Sequence, residues 1–291
     1  MSALRFKQVD VFTDRPFFGN PVAVVLDGDG LDAATMQRIA AWTNLSETTF
    51  VLRPSLPAAD YRVRIFTPRS ELPFAGHPTI GTAHAVLEAG LVPEKAALRQ
   101  ECAAGLLQIE VEGAGPDRRI AVEVPPASLA PLPADAVAAV EEAIGAGLAA
   151  GATGQIVSLG PRWLTVRLAD AAAVRTLAPD LGAVSRVSGE LGVTGVTVFA
   201  LERGDGHEVV VRSFAPADAV PEDPVCGSGN AAVGAWLDHA GVRVGEGGRY
   251  VASQGRELGR DGYVSVRIDA TAGRVWIGGR AVTCVEGILR A

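Results

Sequence analysis

Four side chains stand where their type and setting could do chemistry: Glu47, His77, Asp223 and Cys226. His77 follows Gly76 in PFAGHPTIGTAHAVLEAG, a tight polar entry into an Ala-rich run that Gly90 can stop. Proline is favoured in the first turn of a helix and glycine just past its end, so the spacing predicts a helix here. The first N–H groups of a helix have no partner inside it and carry partial positive charge, which suits a carboxylate or another small anion. A glycine at the turn lets a ligand approach the backbone, and His77 is the one group there that titrates near neutrality. The plainer alternative is a capped core helix with a structural histidine.

Glu47 lies in NLSET, a polar turn ahead of an apolar strand, where a carboxylate can act as a general acid/base or merely cap a helix. Asp223, in PEDPVCGSG, can hydrogen-bond a substrate amino group or orient the His77 imidazole, and it can equally be a turn-forming Asp-Pro. Cys226 precedes Gly227 at an expected helix N-terminus, a position that lowers a thiol pKa and favours a thiolate. A small buried residue is the other reading of it. GSGNAA at 227–232 imitates a dinucleotide-binding turn, but it follows an acidic Pro loop rather than a strand. The four histidines and three cysteines show no metal-ligand or disulfide spacing, so no metal and no cofactor is expected.

The elements that must hold these residues recur. Gly76 aligns with Gly227 (227 − 76 = 151), and both helix-like runs end at a glycine 14 positions later, at Gly90 and Gly241. RIFTP at 64–68 matches RSFAP at 212–216 (212 − 64 = 148), and TTFVL at 48–52 matches TVFAL at 197–201 (197 − 48 = 149). A period near 150 is a duplicated domain, each copy carrying a strand–strand–Gly-turn–helix unit. On this alignment Val196 stands where Glu47 does and Ala75 where Cys226 does, so neither group is doubled.

Strands are expected over 6–13, 22–26, 48–52 and 61–66, with a helix over 32–43 and a closing strand pair at 106–112 and 120–124. PPASLAPLP at 125–133 reads as a linker, giving halves 1–124 and 125–291, with the last strand able to return to the first. The second half reads as a helix over 134–150, strands at 155–159 and 163–168, a helix over 171–181, strands at 195–202 and 208–214, the Gly227 helix, and strands at 263–268 and 274–277. Many short strands with one long helix per half imply an α+β fold in which a sheet wraps a helix.

The chain has 291 residues, 48% of them hydrophobic and 20% charged, enough for two cores. A formal net charge of −7, without basic runs interleaved with aromatics, argues against nucleic acid as the main partner. No apolar run approaches the ~20 residues of a membrane span. The N-terminus enters a strand directly, so a cytoplasmic, reduced location is expected.

The sequence resembles the PhzF-like family of the diaminopimelate-epimerase fold in several ordered motifs along essentially the whole chain. These are VDVFTDRPFFGNPVAVV, NLSETTFV, FTPRSELPFAGHPTIGTA, FAPADAVPEDPVCGSG, SQGRELGR and VWIGGRAVTCVEG. The resemblance implies two similar domains, each a barrel-like sheet round a central helix, with the active site in the cleft between them. It implies that Glu47, His77 and Asp223 are catalytic, that the turns at Gly76 and Gly227 hold a substrate carboxylate, and that Ser228, beside Gly227, helps position the substrate. The reaction it implies is a cofactor-free isomerisation in which Glu47 takes a proton from carbon and returns it elsewhere on the same molecule. A homodimer is implied as well. Cys226, Gly229 and Asn230 depart from the Thr and Ala-His of many relatives, and Cys226 is a further candidate for substrate contact. Two other readings stay open: an amino-acid racemase using Glu47 and Cys226, and a non-enzymatic ligand- or partner-binding member.

Overall fold

A computed structural model describes residues 3–204 and 206–291, the Arg203 side chain excepted. The chain divides into two units, Met1–Glu123 with Gly278–Ala291, and Val124–Ile277.

Unit 1 begins with β1 (Ala3–Val11) and β2 (Asn20–Val25), followed by α1 (Ala33–Thr43) and β3 (Thr48–Leu52). Next come β4 (Tyr61–Phe66), the two-residue β5 (Glu71–Leu72), α2 (Gly76–Glu88), β6 (Ala97–Cys102), β7 (Gly105–Glu112) and β8 (Arg119–Glu123). β1 and β2 are antiparallel, β2 and β3 parallel, β3 and β4 antiparallel, and β4 and β6 parallel; β7 and β8 extend the ladder antiparallel. Parallel neighbours need a crossover, and α1 and α2 supply the two. Asp32 caps α1 by accepting from Thr35 N at 2.7 Å. α2 is buried from Gly76 through Leu87, as a helix apolar on every side must be. It fits because its residues are small: a Cβ on Gly81 would stand 2.4 Å from Val22 Cγ1.

Unit 2 holds β9 (Ser128–Pro131), α3 (Val137–Ile144), β10 (Gln155–Ser158), β11 (Arg162–Arg167), α4 (Ala171–Arg175) and α5 (Leu181–Leu191). β12 (Gly195–Gly204), β13 (His207–Ala215), β14 (Val220–Asp223), α6 (Gly227–His239), β15 (Arg249–Gln254), β16 (Gly262–Asp269) and β17 (Arg274–Gly279), whose last two residues are counted with unit 1, complete the series. The pairing repeats that of unit 1: β11 and β12 parallel, β12 and β13 antiparallel, β13 and β15 parallel across α6, then β15 and β16 antiparallel. α2 and α6 are both 13 residues long and start after Ala75 and Cys226, 151 apart, as the repeat requires. The last strand, β18 (Ala281–Arg290), lies in unit 1 and runs antiparallel along the whole of β1.

Several expectations need correcting. The helix over 134–150 is only α3, because Gly145 turns left-handed (φ 73°) and ends it. Part of the Pro-rich linker is β9, which pairs with β10. The helix over 171–181 is the short α4, while α5, capped by Asp180, was not anticipated. β6 and β15 were not anticipated either. The ladder also places Thr48 opposite Phe66 and Val196 opposite Phe214, so Gly195 rather than Val196 corresponds to Glu47. A Cβ there would lie 2.1 Å from Phe214 O, which leaves that position of unit 2 without room for a side chain.

Candidate active site

Unit 1 brings Glu47 and His77 together. α1 ends at Asn44, whose left-handed backbone (φ 54°) lets its N–H bond Ala40 O and turns the chain toward β3. Glu47 stands at the mouth of β3, where its carbonyl accepts from Ala23 N at 3.3 Å. Beside it, Thr43 and Thr48 share a hydroxyl hydrogen bond of 2.7 Å and Ser46 Oγ donates to Asn20 Oδ1 at 3.4 Å. His77 is the second residue of α2, and its Nε2 lies 3.2 Å from Glu47 Oε2. Both side chains are enclosed, at 7% and 15% exposure. Burial pulls the His77 imidazole down to about 3, against a hydrogen bond from the ring to the Pro21 carbonyl. The ring is therefore neutral at pH 7. With its N–H committed to Pro21, its Nε2 faces Glu47 as a lone pair. That lone pair can accept a hydrogen bond from the Glu47 carboxyl whenever the carboxyl carries a proton. The N-cap Ala75 offers no side-chain acceptor to the first-turn N–H groups of α2.

Unit 2 brings Asp223, Cys226, Gly227 and Ser228 together. Asp223 ends β14, and its Oδ1 accepts from Val225 N at 3.1 Å, an Asx turn into α6. Burial pushes its carboxyl up from 3.8 to about 6, partly offset by a hydrogen bond from the Cys226 thiol. Cys226 caps α6, its Sγ accepting from Gly229 N at 3.2 Å. The helix terminus predicts a lowered thiol pKa, but burial and the neighbouring Asp223 charge push it well up instead. Cys226 is thus a thiol at neutral pH and a poor thiolate base. Ser228 Oγ accepts from Trp163 Nε1 at 2.9 Å.

Sequence reasoning missed the residues that hold this turn. Gln254 Oε1 accepts from Cys226 N at 3.1 Å and from Asn230 Nδ2 at 2.8 Å, while its Nε2 donates to Asp223 O at 2.9 Å. Its signal was a glutamine ending an apolar strand before Gly255. That glycine (φ 87°) lies so close to Pro224 that a Cβ would stand 2.2 Å from its carbonyl oxygen. Trp163 gave no signal beyond strand periodicity.

Among the described residues no group of three or more His, Cys, Asp or Glu could hold a metal ion, and no helix is long and apolar enough to cross a membrane. A half-buried carboxylate beside a neutral imidazole is an arrangement that can exchange a proton, and the first-turn N–H groups of a helix can hold an anion.

The chain belongs to the PhzC-PhzF family, described as phenazine biosynthesis-like protein, whose profile matches residues 9–287. It is 41% identical to antisense-enhancing sequence 1 of Schizosaccharomyces pombe, over 99% of each chain. It is 35% identical to the trans-2,3-dihydro-3-hydroxyanthranilate isomerase of Pseudomonas chlororaphis, over 97% of each. The crystal structure of a Bacillus anthracis phenazine biosynthesis protein of the PhzF family superposes at a TM-score of 0.88, with 28% identity and full coverage of both chains. The diaminopimelate-epimerase-like fold extends to the structure of a predicted epimerase from Pseudomonas aeruginosa at 29% identity and to solved racemase and epimerase structures at 16%. Relatives along nearly the whole chain are named isomerases, and this protein is an enzyme of that class.

Proposed function

We propose that the enzyme moves a proton from one carbon to another on a small carboxylate-bearing substrate, without a cofactor, and that Glu47 is the acid/base. The observation that carries this reading is the Nε2–Oε2 contact of 3.2 Å between a buried, neutral His77 and Glu47. Glu47 takes the proton from one carbon, holds it against the His77 Nε2 lone pair, and gives it to another carbon of the same molecule. The reading further assigns Gly76 and Gly227 to the substrate carboxylate, through first-turn N–H groups that also stabilise charge spread into it. Asp223 and Ser228 orient the same substrate, Asp223 by accepting from an amino or hydroxyl group.

The test is deuterium incorporation from D2O into a panel of unsaturated and amino carboxylates that includes trans-2,3-dihydro-3-hydroxyanthranilate, the compound in the relative's name. Glu47→Gln is expected to lower incorporation by about 10²–10⁴-fold, the usual worth of a positioned acid/base. Incorporation that survives the substitution would remove Glu47 from the chemistry.

The racemase reading asks Cys226 to serve as a second base, and its raised pKa disfavours that. α-Deuteration of an amino acid that is abolished in Cys226→Ser would restore it. A binding protein without catalysis is the remaining reading, favoured by the non-enzymatic name of the relative at 41% identity. Full cellular function of Glu47→Gln would select it. A homodimer in the cytoplasm belongs to the same proposal, and sedimentation velocity tests the dimer.

A further inference from the structure

We propose that Trp163 is a positioning residue that fixes the Ser228 hydroxyl as a hydrogen-bond donor to the substrate carboxylate; this rests on the function proposed above. Ser228 alone among residues 225–237 is not fully buried, so its hydroxyl is the side-chain group of the first turn of α6 that a ligand can reach. A hydroxyl has two acceptor lone pairs and one donor proton, and it turns to suit its neighbours. Trp163 is 4% exposed, and its indole N–H, which can only donate, reaches Ser228 Oγ at 2.9 Å. That bond occupies one lone pair and turns the O–H proton away from the indole.

Among the described residues the proton has one neighbour to turn to, Cys226 Sγ at 3.5 Å. Sulfur is a weak acceptor, and this one already accepts from Gly229 N and gives its own proton to Asp223. A carboxylate oxygen beside the helix start is the stronger acceptor for both the O–H and the first-turn N–H groups. Trp163 is placed for this role by β11, whose parallel register sets it beside Gly195, where no side chain intrudes. A freely rotating serine would spend part of its time as an acceptor facing the anion. The indole removes that orientation before the ligand arrives.

The experiment uses Trp163→Phe, Ser228→Ala and the double variant of the full chain, with 2-aminobenzoate as probe. This molecule offers a carboxylate to the donors and an adjacent amino group to Asp223. In ¹⁵N-labelled protein the Trp163 indole resonance is expected to move upfield in Ser228→Ala. Trp236, whose indole N–H bonds Thr153 O at 3.0 Å, stays put as the internal control. By calorimetry, Trp163→Phe should weaken 2-aminobenzoate binding about fivefold, the worth of one neutral hydrogen bond, and have no effect once Ser228 is alanine. An unmoved indole resonance, an unchanged affinity in Trp163→Phe, or an equal loss in both backgrounds would overturn the positioning role. A wild-type enzyme that takes up no 2-aminobenzoate is a different failure, because it removes the carboxylate site and with it the underlying function.

Discussion

Asp223 is held in a form that costs the folded protein stability. Its carboxyl titrates near 3.8 when free and at about 6 in place, with burial the larger cause. Between those values the folded chain binds more protons than the unfolded one, so stability falls as pH rises through that window and stays low above it. Asp223→Asn keeps the shape and removes the charge. It is expected to raise stability at pH 8 by about 1–2 kcal/mol, less than the ~3 kcal/mol the full shift would give, while lowering activity. Urea melts of both proteins at pH 4 and pH 8 check it: the gain should be present at pH 8 and vanish at pH 4. His77 acts with the opposite slope. The unfolded imidazole charges near 6.5 and the folded one near 3, so stability falls as pH drops through that range. His77→Asn should flatten the acid limb of the thermal stability curve, and an unchanged limb would assign it to other groups such as His84, which burial lowers to about 4.

The two central helices are where chemistry and packing meet, and both depend on residues too small to crowd the sheet. A Cβ on Gly229 would lie 2.4 Å from Ser213 Oγ and 2.9 Å from Thr197 Oγ1, two fully buried side chains that bond each other at 3.0 Å. Gly229→Ala should therefore destabilise unit 2 by about 2 kcal/mol or more through overpacking. Gly189, exposed in α5 with open space where a Cβ would go, should behave oppositely, its alanine variant gaining about 0.5–1 kcal/mol. Comparing the two melts separates helix propensity from packing. The central helices were legible in the sequence because Gly-His-Pro-Thr and Cys-Gly-Ser-Gly each open a run of small apolar residues, and because the run occurs twice. α5 was not, since Gly182, Ser185, Ser188 and Gly189 dilute the Val184, Val187 and Leu191 stripe. β9 hid among prolines, because Pro131 sits on a strand whose partner β10 lies more than twenty residues away, and such pairing leaves no local mark. The site divided the same way. The groups that react announce themselves by type, whereas Gln254 and Trp163 act by where long-range pairing carries them.

At the scale of the whole chain, the repeat explains why each unit closes a sheet around one helix, but unit 1 is completed by residues from the far end of the sequence. β18 pairs along β1 from Val11↔Ala281 to Ala3↔Arg290, with a bulge between Gln8 and Val9. The buried Lys7 reaches Glu286 on β18 at 3.4 Å and Glu88 on α2 at 2.6 Å, and Thr283 donates to the same Glu88 carboxyl at 2.6 Å. Ending the chain after Arg280 would strip β1 of a neighbour along its length and leave an exposed edge prone to pairing with other chains. It would also leave Lys7, 3% exposed, with Glu88 alone of these two carboxylates. Amide hydrogen exchange on the truncated protein should show β1 and β2 losing most of their protection while β11, β12 and β13 keep theirs. That pattern is expected because β11, β12, β13 and β15 of unit 2 pair with one another and need no strand from the C-terminal segment. Equal loss in both units would mean that they unfold as one cooperative body and that the duplication divides the sequence without dividing the stability.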